Sequence, residues 1–456
     1  MTDSVGFPEA LVPIYVMASS LLFILVIEAF LVKDKRAWSI PALAVYATVG
    51  AWYFIELIYT PENFLQFDSS ILESCYWQII TFLITFRLVI PSLSRRFLKN
   101  YHTVFKFTAF NPEQLLMVLA FVWLCLLGYG VSRLNGDIFN ALFPIAARTG
   151  RQMWGRAAAA GGNGFIISSA AYVYTLVCAF FGVLLPLPMR RKFKTLNILI
   201  ILITLPYFIF LGARNNLLAV VLPGYFSYAL FSQDKVWRKA LISIVTFLII
   251  NQVMTLIITY RNTGFTELFA ADSGLQTEEL SETKHLGLNM LEELCYINHF
   301  YQEGSLNLTY GGRYLAEAAN VIPRAIWPNK PLIGIDYAIL RGFGGADNSI
   351  GVFATISTGL IGQGFFNFGP IFGPMGAGIL MASWASFMGR LWAQQFSTLR
   401  LGLFLICLGL TFNLGREFTL LVLWPALFGY VFVLMLERYG SKKAQGRFIS
   451  TSNLSP

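Results

Sequence analysis

Arginines stand in the connections between apolar stretches, where a planar and permanently charged side chain suits the binding of phosphate. Six of them lie in such connections: Arg133, Arg148, Arg151, Arg156, Arg214 and Arg416. The first four share one connection, 133–165, that contains a single acid, Asp137. Guanidinium groups bind phosphate oxygens in a two-pronged manner, and each charge-assisted bond is worth on the order of 1.5–3 kcal/mol. This local excess of positive charge predicts an anionic ligand such as a diphosphate.

The last two arginines occupy very tight turns between apolar stretches. Arg214 follows a Gly-Ala pair, and small residues at such a turn let two helices approach closely. Arg416 follows a glycine in the same way and precedes Glu417. Rigid helix ends position a side chain better than a loop does. The alternative is that these arginines pair with acids, such as Asp137 and Glu417, or reach toward lipid headgroups.

The stretch 285–304 has the periodicity of an amphipathic helix, because apolar residues recur every three or four positions. Its other face carries Glu292, Tyr296, His299 and Glu303. A histidine four residues before a carboxylate shares a helical face with it, so Glu303 can orient His299 and raise its basicity for removing a hydroxyl proton. We therefore expect His299 with Glu303 as the candidate base and Glu417 in reserve. A solvated polar face is the alternative.

A proline-rich stretch follows at 320–331. Its prolines prevent a continued helix and hold an extended backbone, on which Arg324 and Lys330 are displayed as cations. Trp327 offers a flat apolar face for a sugar ring. A purely structural proline-rich turn is the alternative.

The elements that would position these residues are membrane helices. Hydrophobic residues make up 56% of the 456 residues and charged residues only 12%, which is typical of a polytopic, all-α membrane protein and excludes a soluble enzyme. The net charge of +9 is scattered between apolar runs, which excludes a nucleic-acid partner. A spanning helix needs about 20 apolar residues. Eleven stretches qualify, near 11–32, 38–59, 75–93, 113–132, 166–188, 196–213, 215–232, 240–260, 370–389, 401–415 and 417–436.

Lysine and arginine cluster in every second connection, which sets the predicted orientation. Those connections hold 20 of the 33 basic residues, ten Lys and ten Arg, whereas Arg87 lies within a span and the other 12 are ten Arg and two Lys. The clusters therefore mark the cytoplasmic side, with the N-terminus outside and the C-terminus inside. The five cysteines lie mostly inside apolar runs and do not indicate a disulfide framework; only Cys75 and Cys295 could meet on an oxidising side. No CxxC spacing indicates a zinc site.

The predicted organisation has five parts: eight spans in 1–260, a large outer loop or cap in 261–349, a re-entrant or interfacial segment in 350–368, three spans in 369–437 and a cytoplasmic tail in 438–456. The segment 350–368 is apolar enough to enter the bilayer, but a full crossing there would invert every later loop. Irregular backbone at membrane depth is tolerated only where it is buried in protein or lines a wet cavity. This segment is therefore a candidate wall for a site.

Three short elements carry a resemblance to a known family. The stretch 321–331, Val-Ile-Pro-Arg-Ala-Ile-Trp-Pro-Asn-Lys-Pro, resembles the I-P-R-x-x-W-P-x-K-P pattern of bacterial oligosaccharide repeat-unit polymerases, the Wzy-type O-antigen and exopolysaccharide polymerases. Gly-Gln-Gly-Phe-Phe-Asn-Phe-Gly at 362–369 is similar to the family's G-E-x-Y-x-N-F-G element, and Gly-Ala-Arg at 212–214 resembles its G-S-R turn. Gln363 and Phe365 stand where the family often has a carboxylate and a tyrosine, which argues against a base at position 363.

The resemblance implies a GT-C-like bundle that transfers a glycan from a polyprenyl-diphosphate carrier to the terminal sugar hydroxyl of a second lipid-linked repeat unit. The reaction would take place at the outer face of a bacterial inner membrane, without metal or other cofactor. Membrane lipids, a chain-length regulator and a flippase of the same pathway would be the other partners. The expected catalytic residues are Arg214, Arg324, Arg416, His299 and Glu303, and the expected substrate-binding residues are Arg148, Arg151, Arg156, Trp327, Lys330, Asn367 and Glu417.

Two alternatives remain open. A ligase that moves finished glycan to a different lipid would share the arginine chemistry and differ only in acceptor. A transporter or flippase for lipid-linked oligosaccharide should carry ionisable or broken-helix sites near mid-membrane and inverted repeats. The predicted spans contain little besides Glu28, Glu56 and Arg87, all toward their ends, which disfavours transport.

Overall fold

A computed structural model of the chain describes the residues between 12 and 438, with gaps. The described ranges are 12–31, 37–99, 111–145, 152–154, 164–260, 264–265, 289–319, 322, 326–327, 335–342, 356–394, 397–419 and 423–438. Helices form 82% of these residues, and no strand occurs among them. The predicted all-α class is therefore confirmed.

The helices follow one another with short connections wherever the chain is described. In chain order they are α1 (Val12–Leu31), α2 (Ser39–Tyr53), α3 (Ile55–Tyr59), α4 (Ser69–Lys99), α5 (Pro112–Arg133), α6 (Ile138–Leu142), α7 (Gly164–Leu184), α8 (Arg191–Phe210), α9 (Arg214–Phe231), α10 (Val236–Tyr260), α11 (Met290–Gln302), α12 (Gly312–Ala319), α13 (Ile335–Leu340), α14 (Leu360–Ala393), α15 (Thr398–Arg416) and α16 (423–438). One turn of 3-10 helix, Pro61–Phe64, lies between α3 and α4.

Eight helical stretches are long and apolar enough to cross a membrane, by length and composition. They are Pro13–Leu31, Ser39–Tyr59, Ser69–Leu98, Pro112–Arg133, Arg191–Phe210, Val236–Ile257, Leu360–Ala393 and Thr398–Arg416. Many large apolar side chains on these helices are exposed, for example Phe30, Leu88 and Phe247. Such exposure is expected when lipid covers the outside of a helical bundle. The chain is thus a helical membrane protein.

The predicted number of eleven spans is only partly reproduced. Two further apolar helices, Ser169–Leu184 and Asn215–Phe231, are shorter than the length that usually spans a bilayer. The helix 423–438 coincides with the last predicted span and is also short. Eight spans are therefore supported in the described ranges, and eleven crossings stay a prediction.

The chain divides into two compact units. The first contains Met1–Val104, Lys284–Ala393 and Thr411–Val422, and the second contains Phe105–Thr283, Gln394–Leu410 and Leu423–Pro456. The segments of each unit are distant in sequence. Helices that precede and follow the long 261–349 region therefore pack together within each unit.

In the first unit, α4 packs along α14. A side chain on Gly378 would meet the main chain of α4, since its Cβ would lie 3.0 Å from the Phe82 carbonyl oxygen. The glycine thus lets the two backbones approach closely. The end of α15 joins the same unit, where the Trp52 indole of α2 donates a 2.7 Å bond to the Phe412 carbonyl oxygen.

In the second unit, α7 and α9 are held together by a pair of glycines. A Cβ on Gly224 would lie 3.1 Å from the Cα of Gly182, which leaves no room for a side chain at this crossing. A buried ion pair joins α15 to α16, with Arg400 Nη2 2.9 Å from Glu437 Oε2. The Ser397 hydroxyl donates a 3.0 Å bond to the same carboxylate.

The segment 350–368 differs from the irregular backbone that we expected. Its described part lacks regular secondary structure only from 356 to Gly359, and a helix begins at Leu360. That helix breaks at Gly369, whose φ of 79° favours glycine. Gly364 and Gly373 touch across the break, because a Cβ on Gly373 would lie 2.5 Å from the Gly364 carbonyl carbon.

Residues nine positions apart in a straight helix are separated by about 13 Å. The glycine contact therefore means that residues 360–368 fold back against the following half of α14 as a helical hairpin. The expectation of irregular backbone was wrong for these residues, because glycine and Pro370 produce the reversal within one helical stretch. Entry of this hairpin into the bilayer stays a prediction.

Candidate functional site

The Gly-Gln-Gly-Phe-Phe-Asn-Phe-Gly element lies at the beginning of α14 and presents two buried amides one helical turn apart. Gln363 is 1% exposed and Asn367 is fully buried. The Asn367 Nδ2 donates a 2.8 Å bond to the Gln363 carbonyl oxygen. The other polar atoms of these amides each hold a different segment of the first unit.

Asn367 holds the beginning of α12. Its Oδ1 accepts bonds from the main-chain N–H groups of Arg313 and Tyr314, at 3.1 and 3.4 Å, and from the Thr309 hydroxyl at 3.2 Å. The first N–H groups of a helix have no partner within the helix. Asn367 therefore acts as a helix cap supplied by a distant element, and it fixes the position of Arg313.

Gln363 holds the chain just beyond α15. Its Nε2 donates to the Phe418 carbonyl oxygen at 3.3 Å, and its Oε1 accepts from the Phe418 N–H at 3.0 Å. A carboxylate could accept but could not donate, so glutamate would lose one of these bonds. The amide thus fits a positioning role, and it fixes Glu417, the neighbour of Phe418.

Arg313 is buried and lacks a full set of partners. Its side chain is 7% exposed, and the guanidinium carbon lies 3.7 Å from the centre of the Phe366 ring, which is a cation–π contact. The Nη2 atom is buried with no hydrogen-bond partner among the described residues. Burial lowers the pKa of Arg313, and the charge of Glu417 opposes that effect. Arginine stays charged even so, which leaves donor capacity for an anion.

Glu417 is the acid whose charge acts most strongly on the pKa of this arginine. Burial raises the pKa of its carboxyl group to about 7, and the charge of Glu317 adds to the rise. Arg313, Arg416 and the Ser357 hydroxyl act in the opposite direction. A carboxyl group with such a pKa changes its protonation near neutral pH, as a general acid or base requires.

Two further groups complete this site. The Arg416 Nε donates a 2.7 Å bond to the Ser357 hydroxyl. The Tyr314 hydroxyl is buried and has no hydrogen-bond partner in the described part of the chain. Burial raises the pKa of Tyr314, and the charge of Glu417 raises it further. We call Arg313, Tyr314, Glu317, Ser357, Arg416 and Glu417 the Arg313 site.

The Arg313 site contains some of the residues that the sequence predicted. Arg416 and Glu417 belong to it, and Asn367 supports it through the cap on α12. Arg214 begins α9 in the second unit, and only its main chain is described. Trp327 is 38% exposed, and its stacking on a sugar ring stays a prediction. The remaining predicted cations, Arg148, Arg151, Arg156, Arg324 and Lys330, lie outside the described residues.

The predicted pair of His299 and Glu303 is present at the C-terminal end of α11, where Glu303 is the residue that follows the helix. The His299 Nε2 lies 3.2 Å from a Glu303 oxygen, and the two side chains are 41% and 54% exposed. They share a helical face as the spacing predicted, but the polar stripe is not uniform, because Glu292 on it is buried. The role of His299 as a base stays a prediction.

Arg313, Tyr314 and Glu317 were not among the site residues predicted from the sequence. Arg313 belongs to the arginine-rich set of cations that the sequence predicts to lie on the outer side, and Glu317 follows it by four residues, which places both on one face of α12. That spacing alone also fits an ordinary solvated ion pair. Only the packing of α12 on α14 shows that Arg313 and Glu317 are buried and do not form a solvated pair.

The partly buried Arg341 provides a contrast. Arg341 approaches Glu293 with Nε and Nη2, at 3.2 and 3.3 Å from its two oxygens. The Tyr296 ring lies 3.4 Å beneath the guanidinium carbon, and the Tyr337 hydroxyl donates to Glu293. The Arg341 charge is paired with the Glu293 charge. The bond from Tyr337 to Glu293 also joins α13 to α11. Arg313 has no such carboxylate hydrogen-bonded to it among the bonds found in the described ranges.

No group of three or more His, Cys, Asp or Glu side chains that could hold a metal ion occurs in the described ranges. The Arg313 site combines two arginines with two acids, Glu317 and Glu417, and the pKa of Glu417 is raised to about 7. Comparison of the chain with known proteins finds no matching family model, no matching curated protein and no matching solved structure.

Proposed function

We propose that this chain is an integral membrane glycosyltransferase that polymerises polyprenyl-diphosphate-linked oligosaccharide repeat units into O-antigen or exopolysaccharide. The observation that carries the proposal is the buried Arg313, with an unpartnered Nη2, beside the neutral-range acid Glu417. Fixed guanidinium donors stabilise charge that develops on a departing diphosphate. The resemblance at 321–331 and 362–369 points to the same chemistry.

The proposed reaction transfers a sugar between two lipid-linked chains. The acceptor hydroxyl oxygen attacks the anomeric carbon of the donor, and the bond from that carbon to the diphosphate oxygen breaks. The hydroxyl proton passes to the Glu417 carboxylate, and the electron pair of the broken bond leaves with the diphosphate. Arg313 and Arg416 neutralise the leaving diphosphate, and the Tyr314 hydroxyl donates to one of its oxygens.

This proposal makes Glu417 the first candidate for the base and His299 the second, whereas the sequence had favoured His299. Glu417 lies beside the cations that would bind the leaving group, whereas His299 is paired with Glu303 on a half-exposed face. A base must lie within hydrogen-bond reach of the hydroxyl proton that it removes. Glu417 is therefore the proposed base, and His299 is retained for binding of the acceptor glycan. Arg214 and Arg324 are proposed to contribute further cations.

The proposal includes a placement in the membrane. The GT-C-like bundle of eleven spans would have its N-terminus in the periplasm and its C-terminus in the cytoplasm of a bacterial inner membrane, with 261–349 as a periplasmic cap. Reporter fusions after Arg96 and after Gly311 should report opposite sides of the membrane. The same side for both would contradict this topology.

The direct test is a polymerisation assay. Purified full-length protein is incubated with polyprenyl-diphosphate oligosaccharide in the presence of a chelator, and the products are sized. We expect a ladder of products that differ by one repeat unit. Addition of a single glycan to a different lipid acceptor would indicate a ligase, and unchanged substrate with movement between leaflets of a vesicle would indicate transport.

The matched variants are Arg313→Lys and Arg190→Ala. Lysine keeps a charge but cannot reproduce the planar fork of arginine, so Arg313→Lys should lose most of the ladder. Arg190 is 68% exposed and pairs with Glu113, away from the site residues in the chain, so Arg190→Ala should keep the ladder. A full ladder from a stably folded Arg313→Lys variant would refute the role of the buried guanidinium.

A further inference from the structure

Two buried cysteines from distant parts of the first unit lie side by side. Cys75 is on α4 and Cys295 is on α11, and their Sγ atoms are 3.6 Å apart. Both thiols are free, and both side chains are fully buried. The chain between them includes the whole sequence from the third predicted span to the outer loop.

The neighbours of the pair keep the two helices in place. The Asn298 Nδ2 on α11 donates to the Cys75 Sγ at 3.4 Å. The side-chain amides of Asn298 and Gln78 also exchange bonds, at 2.7 and 3.2 Å. The closeness of the thiols is therefore fixed by the packing of α11 on α4.

We propose that Cys75 and Cys295 form a disulfide that ties the outer helix α11 to the membrane helix α4. The proposal rests on the predicted placement of this end of the bundle on the oxidising side of the membrane, where disulfides persist. It does not depend on the chemistry of the Arg313 site. A disulfide needs an S–S distance of about 2.05 Å, so the sulfurs must approach by about 1.5 Å through side-chain rotation.

The oxidant is a thiol–disulfide oxidoreductase in its disulfide form. One cysteine thiolate attacks a sulfur of that disulfide and forms a mixed disulfide between the proteins. The second thiolate then attacks the Cys75 or Cys295 sulfur of the mixed disulfide, which forms the bond within this chain. The oxidoreductase leaves as a dithiol with the two electrons and the two protons. Because the folded thiols are buried, oxidation precedes the final packing of α11.

The Cys75–Cys295 disulfide would also stabilise the position of the helix that holds the Arg313 site. Ile297 and Leu294 on α11 face Gly362 at the beginning of α14, and a Cβ on Gly362 would meet both side chains. The same end of α14 carries the amides of Gln363 and Asn367. Fixing α11 to α4 therefore limits movement of the helix that positions Arg313.

The test counts oxidised cysteines in the full-length protein. Cells that produce the protein are quenched with acid, free thiols are blocked with N-ethylmaleimide in denaturant, and the sample is reduced and labelled with maleimide-polyethylene glycol. We expect two labels per chain in the wild-type protein, with the chain still monomeric on a non-reducing gel. Cys75→Ser and Cys295→Ser should each give none. Cys125→Ser, which removes an exposed cysteine, should still give two.

Opposite results would overturn the proposal. No label on the wild-type protein would mean that both thiols stay reduced. Two labels on Cys75→Ser would mean that a different pair is oxidised. A reductant-sensitive dimer that disappears in Cys75→Ser would mean that the bond joins two chains. As a second measurement, reduction should lower the unfolding temperature of the wild-type protein and leave that of Cys75→Ser unchanged.

Discussion

Replacing Glu417 with glutamine should change the polymerisation rate and the stability of the protein in opposite directions. The Glu417 carboxyl group has a pKa of about 7, against 4.5 for an ordinary glutamate, chiefly because it is buried. An acid whose pKa is raised by folding stabilises the folded state below its unfolded pKa. That contribution is lost as the pH rises through the folded value.

The magnitude follows from the two pKa values. The difference between 4.5 and about 7 corresponds to roughly 3 kcal/mol of folding free energy, which is lost when Glu417 ionises. Glutamine cannot ionise and avoids this loss. Glu417→Gln should therefore unfold at a higher temperature than the wild-type protein at pH 8, and at nearly the same temperature at pH 4.5.

The polymerisation rate of Glu417→Gln at pH 8 should fall, although its stability at this pH should rise. A base must be deprotonated, so the polymerisation rate of the wild-type protein should rise with pH through about 7 and reach a plateau above it. Loss of a general base reduces the rate about 100- to 10,000-fold, so Glu417→Gln should lose most activity at pH 8. Glu317→Gln is the matched control, because it removes a charge that raises the Glu417 pKa and should move the midpoint to lower pH.

Three results would refute this reasoning. The first is wild-type activity in Glu417→Gln at pH 8. The second is a lower unfolding temperature of that variant at pH 8, which would mean that the ionised carboxylate stabilises the fold. The third is an unchanged midpoint in Glu317→Gln. Initial rates of ladder formation are measured from pH 5 to pH 9 and thermal unfolding in detergent from pH 4.5 to pH 9, which together give all three readouts.

Other residues give further predictions. Gln363→Glu should lose the donor to the Phe418 carbonyl oxygen and destabilise the protein by about 1–3 kcal/mol, measured by thermal unfolding; an unchanged unfolding temperature would contradict the positioning role of the amide. Arg400→Ala should leave Glu437 buried without its partner at a cost of about 3–5 kcal/mol, so that the yield of folded protein in detergent falls; normal yield and unfolding temperature would argue against the buried ion pair. Arg214→Lys should reduce chain length in cells and accumulate lipid-linked single repeat units, because a point charge cannot replace the fork; normal chain lengths would count against a diphosphate contact at this residue.

The membrane helices could be predicted because apolar stretches of sufficient length have few alternatives in a bilayer. In the stretch 360–393, however, apolar length alone does not predict the path of the backbone. Its composition indicates a span with an apolar segment before it, but the reversal at Gly369 depends on backbone contact between Gly364 and Gly373. Glycine is common in membrane helices, so its presence does not indicate a sharp break.

The candidate site was predicted in part for a similar reason. Arg416 and Glu417 were recognised because charge is unusual in a tight turn between apolar stretches. Arg313 was not recognised, since its burial follows from a cap that Asn367 supplies from a helix 54 residues away. The asparagine was noticed only as part of a motif. No local pattern indicates which distant N–H groups such a side chain will bind.

The break in α14 also explains how the Arg313 segment is attached. Pro370 has no N–H, so the Phe366 carbonyl oxygen, four residues earlier, lacks its usual helical partner. The Thr309 N–H fills this vacancy with a 2.8 Å bond. Both atoms belong to the main chain and survive any substitution at these two positions except proline at 309. The main-chain attachment of the Arg313 segment is therefore independent of the side chains at 309 and 366, whereas the cation–π contact with the Arg313 guanidinium depends on the Phe366 ring.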